Sequence, residues 1–411
     1  MIVKEILIWI SVFRSLSILP TILSLSCVDD RGRSIDYFIG YKIPKLEKSA
    51  DNLIQKGYRY LYIGPDSGSA WTQSKHSIAE ENSILGATLR PILTNNQKYN
   101  LVVYNDQKPP SKFIEICFQV VLILLLLVRT RGTSTRAHAK GIVAIYGTKG
   151  FWLIHTIPQF PIIDSKYEYP KRSLNNGQIF MCISITIDDV GTIESIGKHL
   201  LLMQPNIYQL NLTDSFTRKF PLFKDLNDRK KGSTRSTQIV DSIHSIKRKQ
   251  FIIFSKNKRY NQDLYSGLIA PYFNEDFLAQ TWRNGAGEML NSNCKDNHKV
   301  MNIESVKIDD STKWQYREDH AKWAISSQKS GNRIICIADI NRMRSQFSRG
   351  GGSVCLKDSN MWKSFHSIIN DVEGCPLNNF SRLSPLDWIQ SLSGRVWRKI
   401  EESTQKCRIK S

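Results

Sequence analysis

The sequence is short of acidic side chains, with 37 Asp and Glu residues against 57 Lys and Arg residues. The resulting formal charge of +20 at pH 7 favours an anionic partner, because basic clusters gain affinity for phosphates by releasing counterions. Heparin or an anionic membrane surface would suit the same charge, so composition alone does not choose the partner. A chain of 411 residues can form one large domain or two lobes.

The sequence also lacks cysteines at the close spacing of a zinc site, although it contains eight of them. In an exported chain, scattered cysteines favour a disulfide framework over a metal site. We therefore expect no metal and no other cofactor. The apolar run at residues 120–128 is nine residues long, which is too short to span a bilayer.

Residues 1–26 are predicted to be a signal peptide. Lys4 precedes an apolar run, and a second apolar run ends in Ser24-Leu25-Ser26 before Cys27. A membrane anchor is the alternative, because the total apolar length approaches that of a spanning helix. The small residues Ser24 and Ser26 favour cleavage, so we expect a secreted or lysosomal protein without stable membrane association.

Two stretches of similar sequence carry the most informative side chains. These are Ala137-His138-Ala139-Lys140-Gly141 and Asp319-His320-Ala321-Lys322-Trp323, each followed by strand-like sequence. Side chains alternate across a strand, so His and Lys two residues apart point to one face and the middle alanine to the other. An imidazole can attack phosphorus or move a proton while an ammonium holds the phosphoryl oxygens, so the pattern suits phosphoryl chemistry.

The blocks around these stretches resemble deoxyribonuclease II, an acid endonuclease of lysosomes and secretions. The resemblance is carried by the second stretch together with Gly150–Pro161, Ile337-Ala338-Asp339-Ile340-Asn341-Arg342 and Arg349-Gly350-Gly351-Gly352-Ser353-Val354-Cys355. It extends from about Cys27 to Cys375. That family is in turn similar to the phospholipase D superfamily, in which two His-Lys motifs share one catalytic centre.

The resemblance implies a mixed α/β fold in which two sheet-and-helix lobes with pseudo-twofold symmetry share a catalytic cleft. We expect an N-terminal lobe at residues 27–210, a basic polar connection at 211–260, a C-terminal lobe at 261–379 and a basic tail at 380–411. The protein would act as a monomer with internal pseudo-symmetry or as a homodimer. Its partner would be double-stranded DNA, bound through the phosphate backbone.

The implied reaction is a metal-independent, two-step hydrolysis of DNA that leaves 3′-phosphate and 5′-hydroxyl ends. His138 is predicted to be the nucleophile that forms a phosphohistidine, and His320 the acid/base, with Lys140 and Lys322 holding the phosphoryl oxygens. Asn341, with Asp339, would orient a lysine or histidine. His155 is either a catalytic helper or a structural histidine.

The glycine run at residues 350–352 fits two hypotheses: its amides bind a phosphate, or it lets the chain pass tightly beside a disulfide. An acidic optimum is expected as well, because one histidine must be neutral while the other is charged, and lysines lower the pKa of nearby histidines.

The resemblance also implies three disulfides, Cys27 with Cys182, Cys294 with Cys375, and Cys336 with Cys355, which leaves Cys117 and Cys407 outside the shared pattern. Asn211 and Asn379 begin glycosylation sequons.

The segment at 116–128 has no counterpart in the family and fits a buried element, a segment that touches a partner or membrane, or a translated intron. The translated intron is favoured because the flanks continue the resemblance once the insert is removed.

Patterning predicts several elements along the chain. Strands are expected at 35–42, 58–63, 101–107 and 251–254, a hairpin at 141–161 and a helix around 193–202. The stretch from Leu278 to Trp282 has helical spacing. Residues 217–260 are polar and basic, which favours a solvated loop, with a DNA-backbone contact surface as the alternative.

Two other functions are compatible with the sequence. A secreted paralogue that binds DNA or a host partner without catalysis would explain the apolar insert and the basic tail. A phosphodiesterase acting on phospholipid would share the superfamily chemistry, but the Asp-Ile-Asn-Arg and triple-glycine blocks match the nuclease branch. The intact His138, Lys140, His320 and Lys322 favour the nuclease.

Overall fold

The computed structural model describes residues 25–110, 136–228, 235–285, 287–328 and 331–375. Contacts between Cα atoms group the chain into one compact unit that ends at Glu373 and another that begins at Gly374, and of the second unit only Gly374 and Cys375 are described. Most of the predicted signal peptide, the 116–128 insert, Asn379, Cys117, Cys407 and the 380–411 tail lie outside the described residues.

The compact unit contains two large sheets. The strand pairs of the first sheet are antiparallel, whereas the second sheet is mixed because one of its strand pairs is parallel. The first has the strand order β3-β2-β1-β7-β6-β5-β4-β8, and the second has the order β13-β12-β11-β14-β15-β16-β10-β9 with β17 paired to β12. The strands are β1 (Tyr37–Lys42), β2 (Tyr60–Ile63), β3 (Thr72–Gln73), β4 (Asn100–Asn105), β5 (Lys140–Tyr146), β6 (Lys149–His155), β7 (Gln178–Thr186), β8 (Ile207–Asn211), β9 (Gln238–His244), β10 (Gln250–Lys256), β11 (Phe277–Gln280), β12 (Val300–Lys307), β13 (Lys313–Gln315), β14 (Trp323–Ser326), β15 (Ile334–Ala338), β16 (Gly351–Lys357) and β17 (Ile369–Val372). The α-helices are α1 (Asn52–Gln55), α2 (Ile84–Leu93), α3 (Val190–Met203), α4 (Asp214–Lys219), α5 (Pro221–Asn227), α6 (Ala270–Phe273) and α7 (Ser359–Ser367).

The centres of the two sheets repeat one arrangement. In the first sheet β5, β6, β7 and β1 lie side by side in antiparallel pairs, and β14, β15, β16 and β10 do so in the second. Each of these four-strand sets begins with the strand that follows one His-Lys stretch. The expected mixed α/β fold with two sheets is therefore confirmed.

One apolar core contacts both sheets. Alternating side chains of each sheet, such as Tyr41 and Met181 of the first and Trp323 and Ile337 of the second, belong to a single buried cluster that also includes side chains of α3 and α7. The opposite face of the first sheet is covered by α2, and that of the second by α6. Burial of this shared core holds the ends of the two central strand sets near one another.

Local patterning located most of these elements. The hairpin is confirmed as β5 and β6, the helix around 193–202 as α3, and the strand at 251–254 as part of β10. The middle alanines, Ala139 and Ala321, are fully buried in the shared core, as expected for the opposite face of an extended chain.

Two element predictions were wrong. Leu278 to Trp282 is not helical, because residues 277–280 form β11 between β12 and β14, and strand pairing overrides the helical spacing there. The segment 217–260 is not mainly a loop, since it contains α5, β9 and β10. β9 is the edge strand of its sheet and most of its side chains are only partly buried, so its sequence resembles that of a loop.

The disulfide predictions agree with the structure. Cys27 is bonded to Cys182 and Cys336 to Cys355, while Cys294 and Cys375 are both disulfide-bonded as well. Among the described residues, no helix is long and apolar enough to cross a membrane.

The Asn211 sequon lies at the end of β8 with its amide already engaged. Its Nδ2 donates to the carbonyls of Gln97 at 3.1 Å and Tyr99 at 2.9 Å, so a glycan on this nitrogen would displace hydrogen bonds. Glycosylation at Asn211 stays a prediction.

The Cys27–Cys182 bridge is expected to stabilise the fold more than the Cys336–Cys355 bridge. It closes a separation of 155 residues against 19, and a longer loop loses more entropy on cross-linking. Replacing both cysteines of the first bridge by alanine should lower the free energy of unfolding by roughly 2 kcal/mol more than the same change at the second. Denaturant titration of the two double variants measures the difference, and an equal or reversed order would contradict the prediction.

Candidate active site

The first His-Lys pair lies where the chain enters β5. Lys140 is the first residue of that strand, and its Nζ forms a buried ion pair with an Asp106 carboxylate oxygen at the end of neighbouring β4. His138 precedes it and is largely buried, with a side chain 15% exposed. The alternation of the extended chain thus puts the histidine and the lysine on one face, as predicted.

Hydrogen bonding fixes the tautomer of His138. Its Nδ1 lies 2.7 Å from the amide oxygen of Gln346, so Nδ1 carries the proton as the donor. Nε2 is then left with its lone pair, 3.9 Å from a carboxylate oxygen of Asp106. Burial, with Lys140 and Lys322 nearby, holds the pKa of His138 well below its usual value. The ring is therefore neutral with one nitrogen ready to act as a nucleophile.

Asp106 is the anionic centre of this half of the site. Burial alone would raise its pKa, but the Lys140 ammonium and the Arg349 guanidinium hold the pKa well below its usual range. Arg349 lies on the loop that precedes β16, and its guanidinium donates to the Asp106 carboxylate at 3.0 Å. Asp106 therefore stays ionised and compensates two cations in a nearly dry environment.

The second His-Lys pair lies where the chain enters β14. The His320 ring packs against Trp282 with centroids 4.5 Å apart, and the Lys322 ammonium donates to the His320 carbonyl at 2.9 Å. Burial, followed by Lys322 and Lys140, lowers the pKa of His320 to about 3.

Asp319, the residue before this pair, accepts hydrogen bonds from buried donors. The Asp319 carboxylate accepts hydrogen bonds from the Tyr41 hydroxyl, from the Trp314 indole at 2.9 Å and from the Ala321 amide at 2.9 Å. Burial nevertheless raises the pKa of Asp319 to about 6. Tyr41 belongs to β1 of the first sheet, so this carboxylate joins the two halves of the fold.

Each histidine is held by the backbone of the other half. The His138 amide donates to the Gly350 carbonyl at 2.8 Å, and the His320 amide donates to the Gly177 carbonyl at 2.9 Å. Gly350 precedes β16 of the second sheet and Gly177 precedes β7 of the first. The same crossed contact on both sides brings the two pairs to one place.

A cleft of about 260 Å³ opens at this place. Its lining includes His138 and Trp282, whose ring packs against His320, whereas His320, Lys140 and Lys322 themselves are not among the lining residues. The other lining residues are Asp106, Gln107, Gly285, Asn341, Met343, Ser345, Gln346 and Arg349. No group of three or more His, Cys, Asp or Glu side chains within the described ranges is placed to hold a metal ion.

The charge of the site changes near neutral pH. Burial, followed by Lys140, lowers the pKa of Lys322 to about 7. Burial raises the pKa of Asp339 to about 7, although Lys140, the Gly352 amide and Lys322 oppose this. Below neutrality both groups bind a proton, so the site gains positive charge as the pH falls.

The remaining predicted site residues differ in position. Asn341 lines the cleft, and its Oδ1 is buried without a hydrogen-bond partner in the described part of the chain, so it holds neither lysine nor histidine through that atom. His155 is buried, its Nδ1 accepts from the Ile157 amide at 3.1 Å and its ring packs against Phe160, while its Nε2 has no hydrogen-bond partner among the described residues. Burial, then Lys140, lowers the pKa of His155 to about 3. Its role stays a prediction.

The glycine run does pass close to other parts of the chain, but its close neighbours are the backbones of Met203 and Phe254 rather than the disulfide. A Cβ on Gly350 would lie 2.2 Å from the Met203 carbonyl oxygen, and a Cβ on Gly352 would lie 2.3 Å from that of Phe254. The Gly352 amide already donates to Asp339 at 3.2 Å. At these two positions the chain passes too close to neighbouring backbone for any larger residue.

Four residues of the site were not predicted from the sequence: Asp106, Trp282, Gln346 and Arg349. Asp106 stands where a buried strand is followed by polar residues, a position that often carries function and was available as a signal. Arg349 opens the glycine block that carries the family resemblance, whereas Trp282 and Gln346 belong to no motif. Only the topology brings these three residues to the cleft.

The chain is similar to known proteins over most of its length. The family model described as Deoxyribonuclease II matches residues 26–375. Plancitoxin-1 of Acanthaster planci is 31% identical over 371 residues, which is 88% of this chain and 97% of the relative. Deoxyribonuclease-2-beta of Mus musculus is 31% identical over 84% of this chain and 91% of its own length, and Deoxyribonuclease-2 of Caenorhabditis elegans is 31% identical over 89% and 97%.

Asp339→Asn should flatten the dependence of stability on pH between about 4 and about 7. The pKa of Asp339 is raised from 3.8 to about 7 in the folded chain, so in this window the folded state keeps a proton that the unfolded state has lost. Stability of the wild type therefore falls as the pH rises through the window, and asparagine removes that contribution. The free energy of unfolding, measured by denaturant titration across this range, tests the prediction. Asp310→Asn, at an exposed carboxylate, is the control, and equal slopes for the wild type and Asp339→Asn would contradict it.

Proposed function

The chain belongs to the deoxyribonuclease II family, and on that premise we propose that it is an endodeoxyribonuclease that hydrolyses double-stranded DNA through a phosphohistidine, in acid and without a metal. The observation that carries the proposal is the pair of crossed hydrogen bonds, by which each sheet holds the histidine of the other sheet's His-Lys motif. The net charge of +20 supports a polyanionic substrate.

His138 is proposed as the nucleophile. Its Nδ1 proton is held by Gln346, so the Nε2 lone pair is free to attack phosphorus. In the first step the Nε2–P bond forms and the P–O5′ bond breaks, and His320 gives a proton to the departing 5′ oxygen. The strand that carries the phosphate stays attached to His138 through its 3′ oxygen.

Water completes the reaction in the second step. His320, now neutral, takes a proton from a water molecule as that water attacks phosphorus, and the N–P bond breaks. The products are a 3′-phosphate and a 5′-hydroxyl, and both histidines return to their starting states. The displacement is thus divided into two steps, and His320 donates a proton in the first and accepts one in the second.

Lys140 and Lys322 are proposed to hold the phosphoryl oxygens. Other phosphoryl-transfer enzymes assign part of this work to metal ions. Here the two ammonium groups come from opposite halves of the fold, and each is largely buried, which strengthens its attraction for a phosphate. The mechanism therefore has no step that requires a metal.

The acidic preference is proposed to follow from Lys322 and Asp339. Both have a pKa of about 7, so acidification charges the lysine and neutralises the carboxylate, and the attraction for phosphate grows. The pKa of His320 is about 3 in the free site, and the negative charge of a bound phosphate raises it toward the value that an acid catalyst needs.

The disulfides support a secreted or lysosomal location, because such bonds persist in oxidising compartments. We propose that the N-terminal segment directs export. A protein that binds DNA without cleaving it is the second candidate, and the insert and tail that motivated it lie outside the described residues.

Purified protein should cleave supercoiled plasmid at about pH 5 in the presence of EDTA and should cleave it more slowly at about pH 8. His138→Ala and His320→Ala should each lower the rate by at least about 100-fold, because nucleophile or proton transfer is lost. His76→Ala, at a partly exposed histidine paired with Glu80, should cleave like the wild type. Agarose electrophoresis measures the rates. Retained DNA binding without cleavage by the wild type would favour the non-catalytic protein.

A substrate with a p-nitrophenyl leaving group should separate the roles of the two histidines. This group departs without a proton, so His320→Ala should release about one equivalent of nitrophenolate and then stall, while His138→Ala should release almost none. Rapid-quench absorbance measures the burst, and mass spectrometry after an alkaline quench locates the adduct on His138. A burst by His138→Ala with the adduct on His320 would reverse the assignment.

A further inference from the structure

Two lysines outside the cleft are buried in rings of backbone carbonyls. Lys42 ends β1, and its Nζ donates to the carbonyls of Ser173 at 2.9 Å, Leu174, and Asn176 at 2.7 Å. Lys256 ends β10, and its Nζ donates to the carbonyls of Gln346 at 3.0 Å, Phe347 at 3.0 Å and Arg349 at 2.6 Å. Both side chains are fully buried. An ammonium has three N–H groups, so each lysine is saturated by one loop.

The two lysines occupy equivalent positions in the two sheets. Lys42 pairs with Gln178 across β1 and β7, and Lys256 pairs with Gly351 across β10 and β16. The residues just before these partners are Gly177 and Gly350, whose carbonyls accept the amide protons of His320 and His138. The internal pseudo-symmetry therefore includes a second pair of lysines besides those of the two motifs.

The loop held by Lys256 supplies three contacts to the first histidine and its surroundings. Gln346 accepts the Nδ1 proton of His138, Arg349 binds the Asp106 carboxylate, and Gly350 accepts the His138 amide proton. The loop also has local backbone hydrogen bonds, such as those from the Phe347 amide to the Arg344 carbonyl at 3.1 Å and from the Arg349 amide to the Gln346 carbonyl at 3.2 Å. The Lys256 ammonium joins three of its carbonyls to the end of β10.

The loop held by Lys42 supports the second histidine. Gly177 accepts the His320 amide proton, and its amide in turn donates to the Glu318 carbonyl at 2.8 Å. A Cβ on Gly177 would lie 2.3 Å from a carboxylate oxygen of Asp319, so this loop packs directly on the residue before His320. Displacement of the loop would move the backbone of the second motif.

We propose that Lys42 and Lys256 are positioning residues that act across the halves of the fold: Lys42 fixes the loop that holds His320, and Lys256 fixes the loop that holds His138. Neither lysine lines the cleft itself, although Lys256 binds the carbonyls of two residues that do, Gln346 and Arg349. A neutral side chain of similar volume would leave three buried carbonyls without a donor, and the loop would move to reach water. The predicted effect appears at the histidine of the opposite sheet, which a purely local structural role would not produce.

Hydrogen exchange with mass spectrometry tests the crossed effect without depending on activity. Lys256→Met should raise exchange of the peptide that contains His138, and Lys42→Met should raise that of the peptide that contains His320, each by about tenfold or more. Ile253→Ala on β10 and Ile39→Ala on β1 are the matched controls, since both isoleucines are buried on the same strands and their loss makes a cavity away from the loops. The controls should destabilise the fold without selective exchange at either histidine.

Measurements of kcat test whether this positioning affects the reaction, and this second test rests on the proposed function. Lys256→Met should lower kcat on both DNA and the p-nitrophenyl substrate, whereas Lys42→Met should lower kcat on DNA and spare nitrophenolate release, because that leaving group needs no acid. Ile253→Ala and Ile39→Ala, assayed well below their melting temperatures, should keep kcat near the wild-type value.

The outcomes separate the two proposals. Unchanged exchange at the opposite histidine, or equal exchange in lysine and isoleucine variants, would overturn the positioning role whatever the activity. Crossed exchange in a chain whose wild type cleaves no DNA would uphold the positioning role and reject the nuclease. Should a Lys→Met variant fail to fold, Lys256→Gln and Lys42→Gln, which keep an N–H donor, replace it and should show the same crossed pattern at smaller amplitude.

Discussion

The crossed backbone hydrogen bonds of His138 and His320 are the constraint on which the rest of the site depends. Each sheet carries one histidine at the entrance to a central strand, and each histidine amide is bound by a glycine carbonyl of the other sheet. Neither half can then place its own histidine correctly alone. The shared apolar core includes Ala139 and Ala321, the middle residues of the two motifs. Burial of this core provides the free energy that keeps these contacts together.

Burial of positive charge is the second recurring feature of the structure. Lys140 is balanced by Asp106, Lys322 lies near Asp339, and Lys42 and Lys256 are bound by carbonyl oxygens. A buried ammonium is costly unless it is paired or hydrogen-bonded, so each of these lysines fixes several neighbouring groups. The site becomes more positively charged in acid, because Lys322 and Asp339 both bind a proton there. This charge suits recruitment of a phosphate, whatever molecule carries it.

Local patterning predicted several central elements of the fold. Alternation and turn residues located the hairpin of β5 and β6, and helical spacing located α3, because these signals involve neighbours in sequence. Prediction failed for β11, where four residues with helical spacing are paired on both sides, and for β9, a partly buried edge strand whose sequence resembles a loop. In both cases the deciding contacts come from strands that are distant in sequence, and local preference is too weak to resist them.

The sequence by itself determined the two His-x-Lys motifs, the extended backbone that puts each His and Lys on one face, and the disulfide partners implied by family resemblance. Only the tertiary structure decided that Asp106, Gln346 and Arg349 surround His138, that Trp282 packs against His320, and that Lys42 and Lys256 hold the loops that contact the two histidines. The reason is physical: side-chain alternation is a property of neighbouring residues, whereas a hydrogen bond between residues more than 200 positions apart, such as that of His138 with Gln346, exists only after both sheets have packed.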